Sequence, residues 1–110
     1  MRSEEITLLL PREDRELSKA LLDAEIKYET PARDRMTFDS GDVVYTYISL
    51  LVYSRPLARV LIAYINKNKH KRIVIKRKNG DKIEIIGYSA KDAERLIKKG
   101  DVISVEDKKG

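Results

Sequence analysis

Apolar positions along the chain fall into short periodic runs separated by charged turns. Residues 5–10 (EITLLL) predict a strand, apolar after a polar start and closed by Pro11. Residues 12–24 predict a helix, because Leu17, Ala20, Leu21 and Ala24 recur at i, i+3, i+4 and i+7. Glu13, Asp14 and Glu16 crowd its first turn, where the helix dipole favours acids. Residues 25–30 (EIKYET) set Ile26 and Tyr28 against charged neighbours and predict a half-buried strand ended by Pro31. Residues 32–41 show no period and read as a loop, with Asp39 or Ser40 placed to cap the next helix.

The next stretch fits two periods. A helix over 42–53 puts Val44, Ile48 and Leu51 on one face and Tyr47, Leu50 and Ser54 on another, apolar nearly all round. The alternative is a strand over 43–48, where β-branched and aromatic residues dominate. Ser54-Arg55-Pro56 reads as a break with restart, since proline suits a first helical turn and not an interior one. A second helix over 56–67 then buries Leu57, Val60, Leu61, Tyr64 and Ile65.

Residues 71–78 and 82–86 alternate about Asn79-Gly80-Asp81 and predict a hairpin with a type I′ turn. Ser89 caps a helix over 90–99, with Asp92 in the place of a capping-box acid and Gly100 as its stop. Residues 102–105 add a short final strand, and 107–110 are expected to be a loose tail. The predicted order is β-α-β-α-α-β-β-α with that final β. This is a small single α+β domain over residues 1–106, with helices on one face of a mixed sheet.

Composition narrows the classes. The chain has 110 residues, 42% of them apolar and 37% charged, and the apolar ones are periodic, so a folded core is expected over disorder. There is no cysteine, which excludes disulfides and thiol chemistry and suits a cytoplasmic protein. The apolar run Ile6 to Leu10 is too short for a signal-peptide core. Residues 43–65 are apolar enough to raise a membrane span. Arg55 and Arg59 stand inside it, at about 2.5–3.5 kcal/mol each near a bilayer centre, so a buried helical pair is expected.

Charge is uneven. Residues 1–54 carry 7 basic and 11 acidic side chains, residues 55–110 carry 16 and 7, and the whole is +5. The basic half holds KHKRIVIKRKNG at 69–80. Lys69, Lys71, Arg72, Lys76, Arg77, Lys78 and Lys82 are therefore the candidate nucleic-acid contacts. Against that, Glu84 and Asp81 dilute the hairpin, no aromatic side chain stands on it, and a basic edge also protects a sheet from unwanted pairing.

Catalytic chemistry finds no foothold. His70 is the only histidine, at a helix-to-strand junction among lysines, and reads as an exposed turn residue. Asp39-Ser40-Gly41-Asp42 lacks the spacing and closing Glu of a calcium loop. No phosphate-binding glycine loop or nucleophile elbow is present. No enzyme, cofactor or metal is expected. Tyr45, Tyr47, Tyr53 and Tyr64 are the candidate partner-binding residues, with core packing as the competing account.

The run from Pro56 to Lys99 resembles the effector-associated constant component family of bacterial conflict systems. The likeness lies in a helix ending in a basic run (56–71), a strand (72–77), the Asn79-Gly80-Asp81 turn, a second strand (82–86) and a helix carrying Asp92-Ala93-Glu94. The elements at 12–24, 25–30 and 42–53 are similar in order. The family often has Trp where this chain has Tyr64. The resemblance implies a non-catalytic adaptor beside a separately encoded effector protein in a defence or stress pathway. A nucleic-acid-binding module on the 69–82 hairpin is the alternative, and a homodimer through 43–65 is a third expectation.

Overall fold

The computed structural model describes residues 4–11, 14–30 and 43–108. It is an α+β domain of three helices and a five-stranded mixed sheet. In chain order the elements are β1 (Glu5–Pro11), α1 (Arg15–Asp23), β2 (Val43–Ser49), α2 (Leu50–Lys67), β3 (Lys71–Lys76), β4 (Lys82–Glu84), α3 (Ala90–Lys98) and β5 (Val102–Asp107). The strand order is β2-β1-β5-β3-β4, with β1 and β5 parallel and every other pair antiparallel.

The helices cover one face. Along β2-α2-β3 and β4-α3-β5 the chain crosses between parallel strands, in opposite strand direction and with opposite sideways shift. The common right-handed preference then lays both helices on the same side. Ile6, Leu8, Leu10, Ile48, Ile73, Ile75 and Ile103 point to that side and share one buried cluster with Leu17, Leu21, Leu57, Leu61, Ala93 and Ile97 from the helices.

Of the two periods expected over 42–53, the strand alternative holds through Ser49, and only the last residues, 50–53, are helical, as the start of α2. Val43–Ser49 is a strand paired along its whole length with β1, from Glu5↔Ser49 to Pro11↔Val43. Both periods fit the local sequence; the edge of β1 decides between them, because pairing satisfies the backbone of both segments. Thr46 and Ile48 then turn inward, and the Thr46 hydroxyl donates to the Leu8 carbonyl at 2.9 Å. The break at Ser54-Arg55-Pro56 is also absent: α2 runs unbroken from Leu50 to Lys67 with Pro56 inside it.

The segment 25–30 forms no strand beyond one bridge, Glu29 to Tyr47. It begins instead with a helix stop. The Glu25 amide donates to the Leu22 carbonyl and the Ile26 amide to the Leu21 carbonyl, a Schellman pattern with buried Leu21 and Ile26 in its apolar corner. The left-handed position falls on Glu25, at φ 60°. Glu25→Gly is expected to stabilise the fold by about 0.5–1 kcal/mol, after deducting glycine's greater unfolded entropy. A urea titration showing no gain would mean that the Glu25 backbone is unstrained.

The hairpin forms where expected, by a different turn. Within this turn Asn79 has no positive φ; Gly80 does, at 97°, and its amide donates to the Arg77 carbonyl at 2.9 Å. That is an ordinary turn closed by a left-handed glycine, with Asn79 Oδ1 accepting from the Asp81 amide at 3.0 Å. Ser89 caps α3 as expected, its Oγ accepting from the Asp92 amide. The loose tail expected from 107 does not start there: Asp107 ends β5, and the Lys108 amide donates to the His70 carbonyl at 2.8 Å, while residues 109–110 lie outside the described residues. The loop over 32–41, with its Asp39 or Ser40 cap and the Asp39–Asp42 motif, lies outside the described residues.

Candidate functional site

The seven hairpin cations do not form one patch. Successive residues on β3 face opposite ways. Arg72 and Lys76 stand on the outer face of the sheet with Lys82, whereas Lys71 lies on the helix side near Asp14 and Tyr64. Several are already neutralised. Lys71 Nζ is 2.6 Å from Asp107, Arg72 binds Glu106 at 3.1 Å, and Arg77 reaches Asp81 at 3.7 Å and the Lys99 carbonyl at 3.4 Å. The Lys71 hydrogen bond, reinforced by its charge, holds the Asp107 carboxyl below the usual range. Lys69, Lys76, Lys78 and Lys82 carry no ion pair among the described residues.

The four tyrosines also separate. Tyr45 and Tyr47 lie on the outer face of β2, partly buried. Tyr53 packs against the core from α2. Tyr64 is 4% exposed and its hydroxyl donates to Asp14 Oδ2, so it takes no part in an exposed surface. Asp14 thereby serves two partners, since its Oδ1 caps α1 by accepting from the Leu17 amide at 2.9 Å.

Burial, then the Asp14 hydrogen bond, push the Tyr64 hydroxyl above the ordinary tyrosine range. A raised folded-state value contributes stability that is complete below the unfolded pKa, about 10, and is lost as pH rises toward the folded one. Tyr64→Phe is expected to cost about 1–2 kcal/mol at neutral pH, and the gap to wild type should shrink above about pH 10. Denaturation followed across that range checks it; a constant gap would mean that Tyr64 titrates alike in both states.

The β2 strand creates a juxtaposition that a helix there could not. Across the outer face the register aligns Tyr47, Thr7, Val102, Lys76 and Lys82 in one row, and Tyr45, Leu9, Ser104, Val74 and Glu84 in the next. Tyrosines at one side thus share a surface with lysines at the other. Glu84 and the Glu106–Arg72 pair offset much of its positive charge.

A second surface is more strongly cationic. The groove between α2 and α3 is lined by Arg55, Arg59, Lys91, Arg95 and Lys98, with Glu94 as its only acid. Glu94 accepts from the Ser54 hydroxyl at 2.9 Å and lies 3.6 Å from Arg55 and 3.5 Å from Lys98. The Ser54 hydrogen bond, then the two cations, hold its carboxyl below the usual range. The sequence carried a signal for this patch: Arg55 and Arg59 are four apart, and Lys91, Arg95 and Lys98 recur at i, i+4 and i+7.

In the first turn of α2, Leu51, one turn ahead of Arg55, and Val52 are 77% and 64% exposed. His70 is exposed at the head of β3. Among the described residues, no group of three or more His, Asp or Glu could hold a metal ion, and no helix is long and apolar enough to cross a membrane. Comparison with protein-family models, curated proteins and solved structures finds no match to this chain.

Proposed function

We propose that this chain is a non-catalytic, cytoplasmic adaptor that binds an effector protein in a bacterial defence or stress pathway. The observation that carries this reading is the exposure of Leu51 and Val52, two apolar side chains set in water at the start of an otherwise core-forming helix. An apolar step of this kind on a charged surface contributes to protein docking. The resemblance over residues 56–99 points the same way.

The test is capture from the native lysate with tagged protein, after nuclease treatment, at low and moderate salt. Wild type should retain one protein through both steps, Leu51→Asp/Val52→Asp should lose it, and Arg72→Glu/Lys76→Glu should keep it. Wild type that retains no protein would overturn the adaptor.

The outer sheet face favours one second reading, a nucleic-acid-binding module. Tyr45 and Tyr47 share that face with Arg72, Lys76 and Lys82, which offers aromatic and phosphate contacts on one surface. Nucleic acid retained only at low salt, and released by Arg72→Glu/Lys76→Glu, would install that reading. For the homodimer, the free edge of β2 already gives Tyr47's amide and carbonyl to Glu29, which blocks edge pairing at that point. Light scattering at high concentration tests any other self-association.

A further inference from the structure

We propose that the groove between α2 and α3 receives an amphipathic helix of the partner protein, its acidic side chains set against Arg59, Lys91 and Arg95 and an apolar side chain seated on Leu51. This deepens the adaptor reading and rests on it. The groove encloses about 480 Å³ between two helices. α2 climbs from the end of β2 to the start of β3, and α3 descends from the end of β4 to the start of β5, so the two run antiparallel. A furrow between antiparallel helices accepts a third helix by ridge-into-groove packing.

Charge selects the occupant. Five cations face one acid, and that acid is already consumed: Ser54, Arg55 and Lys98 all engage Glu94. Glu94 thereby offsets Arg55 and Lys98, whose side chains stay largely exposed. Arg59, Lys91 and Arg95 have no ion pair among the described residues and are exposed. Three unpaired cations along one furrow complement a row of carboxylates spaced by helical turns.

The apolar step favours protein over phosphate. Leu51, Arg55 and Arg59 follow at i, i+4 and i+8, so the exposed leucine continues the same stripe of α2. A nucleic-acid backbone gains nothing from Leu51, and no aromatic side chain lines the groove to stack a base. An amphipathic helix uses both features, with its apolar stripe on Leu51 and Val52 and its acidic flank over the arginines.

The probe is a synthetic peptide of about five helical turns, with leucines along one stripe and glutamates on its flanks. A control carries lysine for glutamate, and a thymidine oligonucleotide is the third ligand. Amide shifts are followed by NMR. The acidic peptide should shift Leu51, Arg59, Lys91 and Arg95, and Arg59→Glu/Arg95→Glu should weaken it roughly tenfold or more. Both side chains are exposed, so the variant should melt like wild type.

Shifts confined to the outer sheet, no shifts, or equal binding of the lysine control would each overturn the groove. Tighter binding of the oligonucleotide at the same residues would make it a phosphate site and overturn it too. The lysate capture separates the two readings. A protein held equally by wild type and Arg59→Glu/Arg95→Glu removes the groove and keeps the adaptor. Peptide binding in the groove with no protein captured removes the adaptor and keeps the groove.

Discussion

Gly100→Ala is expected to lower the unfolding free energy by about 1–3 kcal/mol, the range for overpacking a well-filled core. A Cβ at this position would stand 2.3 Å from Ile75 Cγ2, with Ile6 Cδ1 and the Ile97 carbonyl oxygen each at 3.6 Å. Ile75 cannot step aside cheaply. It is fully buried, lies between Ile103 and Ile83 in the sheet, and its γ-methyl sits on a branched Cβ with restricted rotamers. Gly100 has no positive φ among the described glycines, so its need for glycine is one of space. In open space the same change would gain a few tenths of a kcal/mol from the unfolded chain. The contact therefore sets the sign. Urea unfolding measures it, and the loss should shrink in an Ile75→Leu background, which moves the branch off Cβ. A neutral Gly100→Ala would mean that β3 and the α3–β5 turn part without cost.

That glycine shows where reading the chain alone stops. Its place after α3 fits a helix stop, and Gly100 does follow α3, but the close neighbour is on β3, some twenty-five residues earlier in the chain. Local rules carried the elements whose signals are local: the short apolar run of β1, the alternation of β3, the glycine turn at 80, the Ser89 cap and the i, i+3, i+4 stripe of α3. They failed at Val43–Ser49, where Val44, Ile48 and Leu51 satisfy a helical period while the same residues alternate well enough for a strand. The free edge of β1 settles that choice, and no local window contains it.

The candidate surfaces follow the same logic. A shared surface for Tyr45, Tyr47, Tyr53 and Tyr64 required a pair of helices. Period two puts Tyr45 and Tyr47 outside the sheet, while α2 carries Tyr53 and Tyr64 onto the core. The hairpin cations crowd together in sequence, yet consecutive residues on a strand face apart and their acids wait on β5. The α2–α3 groove is not legible as one patch, because its cations come from two segments about thirty residues apart. Helical spacing is visible within each segment. That the two stripes meet is a property of packing.

Pro56→Ala is expected to raise stability by about 1–2 kcal/mol. Pro56 is the seventh residue of α2, beyond the first turn where a missing amide is harmless. It withholds a donor from the Val52 carbonyl and sets its ring against that turn, a penalty of about 3 kcal/mol relative to alanine in a helix interior. Two terms reduce the gain. Proline stiffens the unfolded chain by about 0.4–1 kcal/mol, which alanine gives back, and helices as a rule relieve part of such a ring clash by bending locally. Val52 and Arg55 are exposed, so water can reach the freed carbonyl, and neither is a core contact that alanine would disturb. Urea unfolding of the variant gives the answer. A gain would mean that this proline is retained at a cost to stability, at the turn joining Leu51 and Val52 to the arginines of the groove. A loss would mean that the backbone geometry Pro56 sets helps to seat Leu57 and Ala58, the buried pair next to it in α2, in the core.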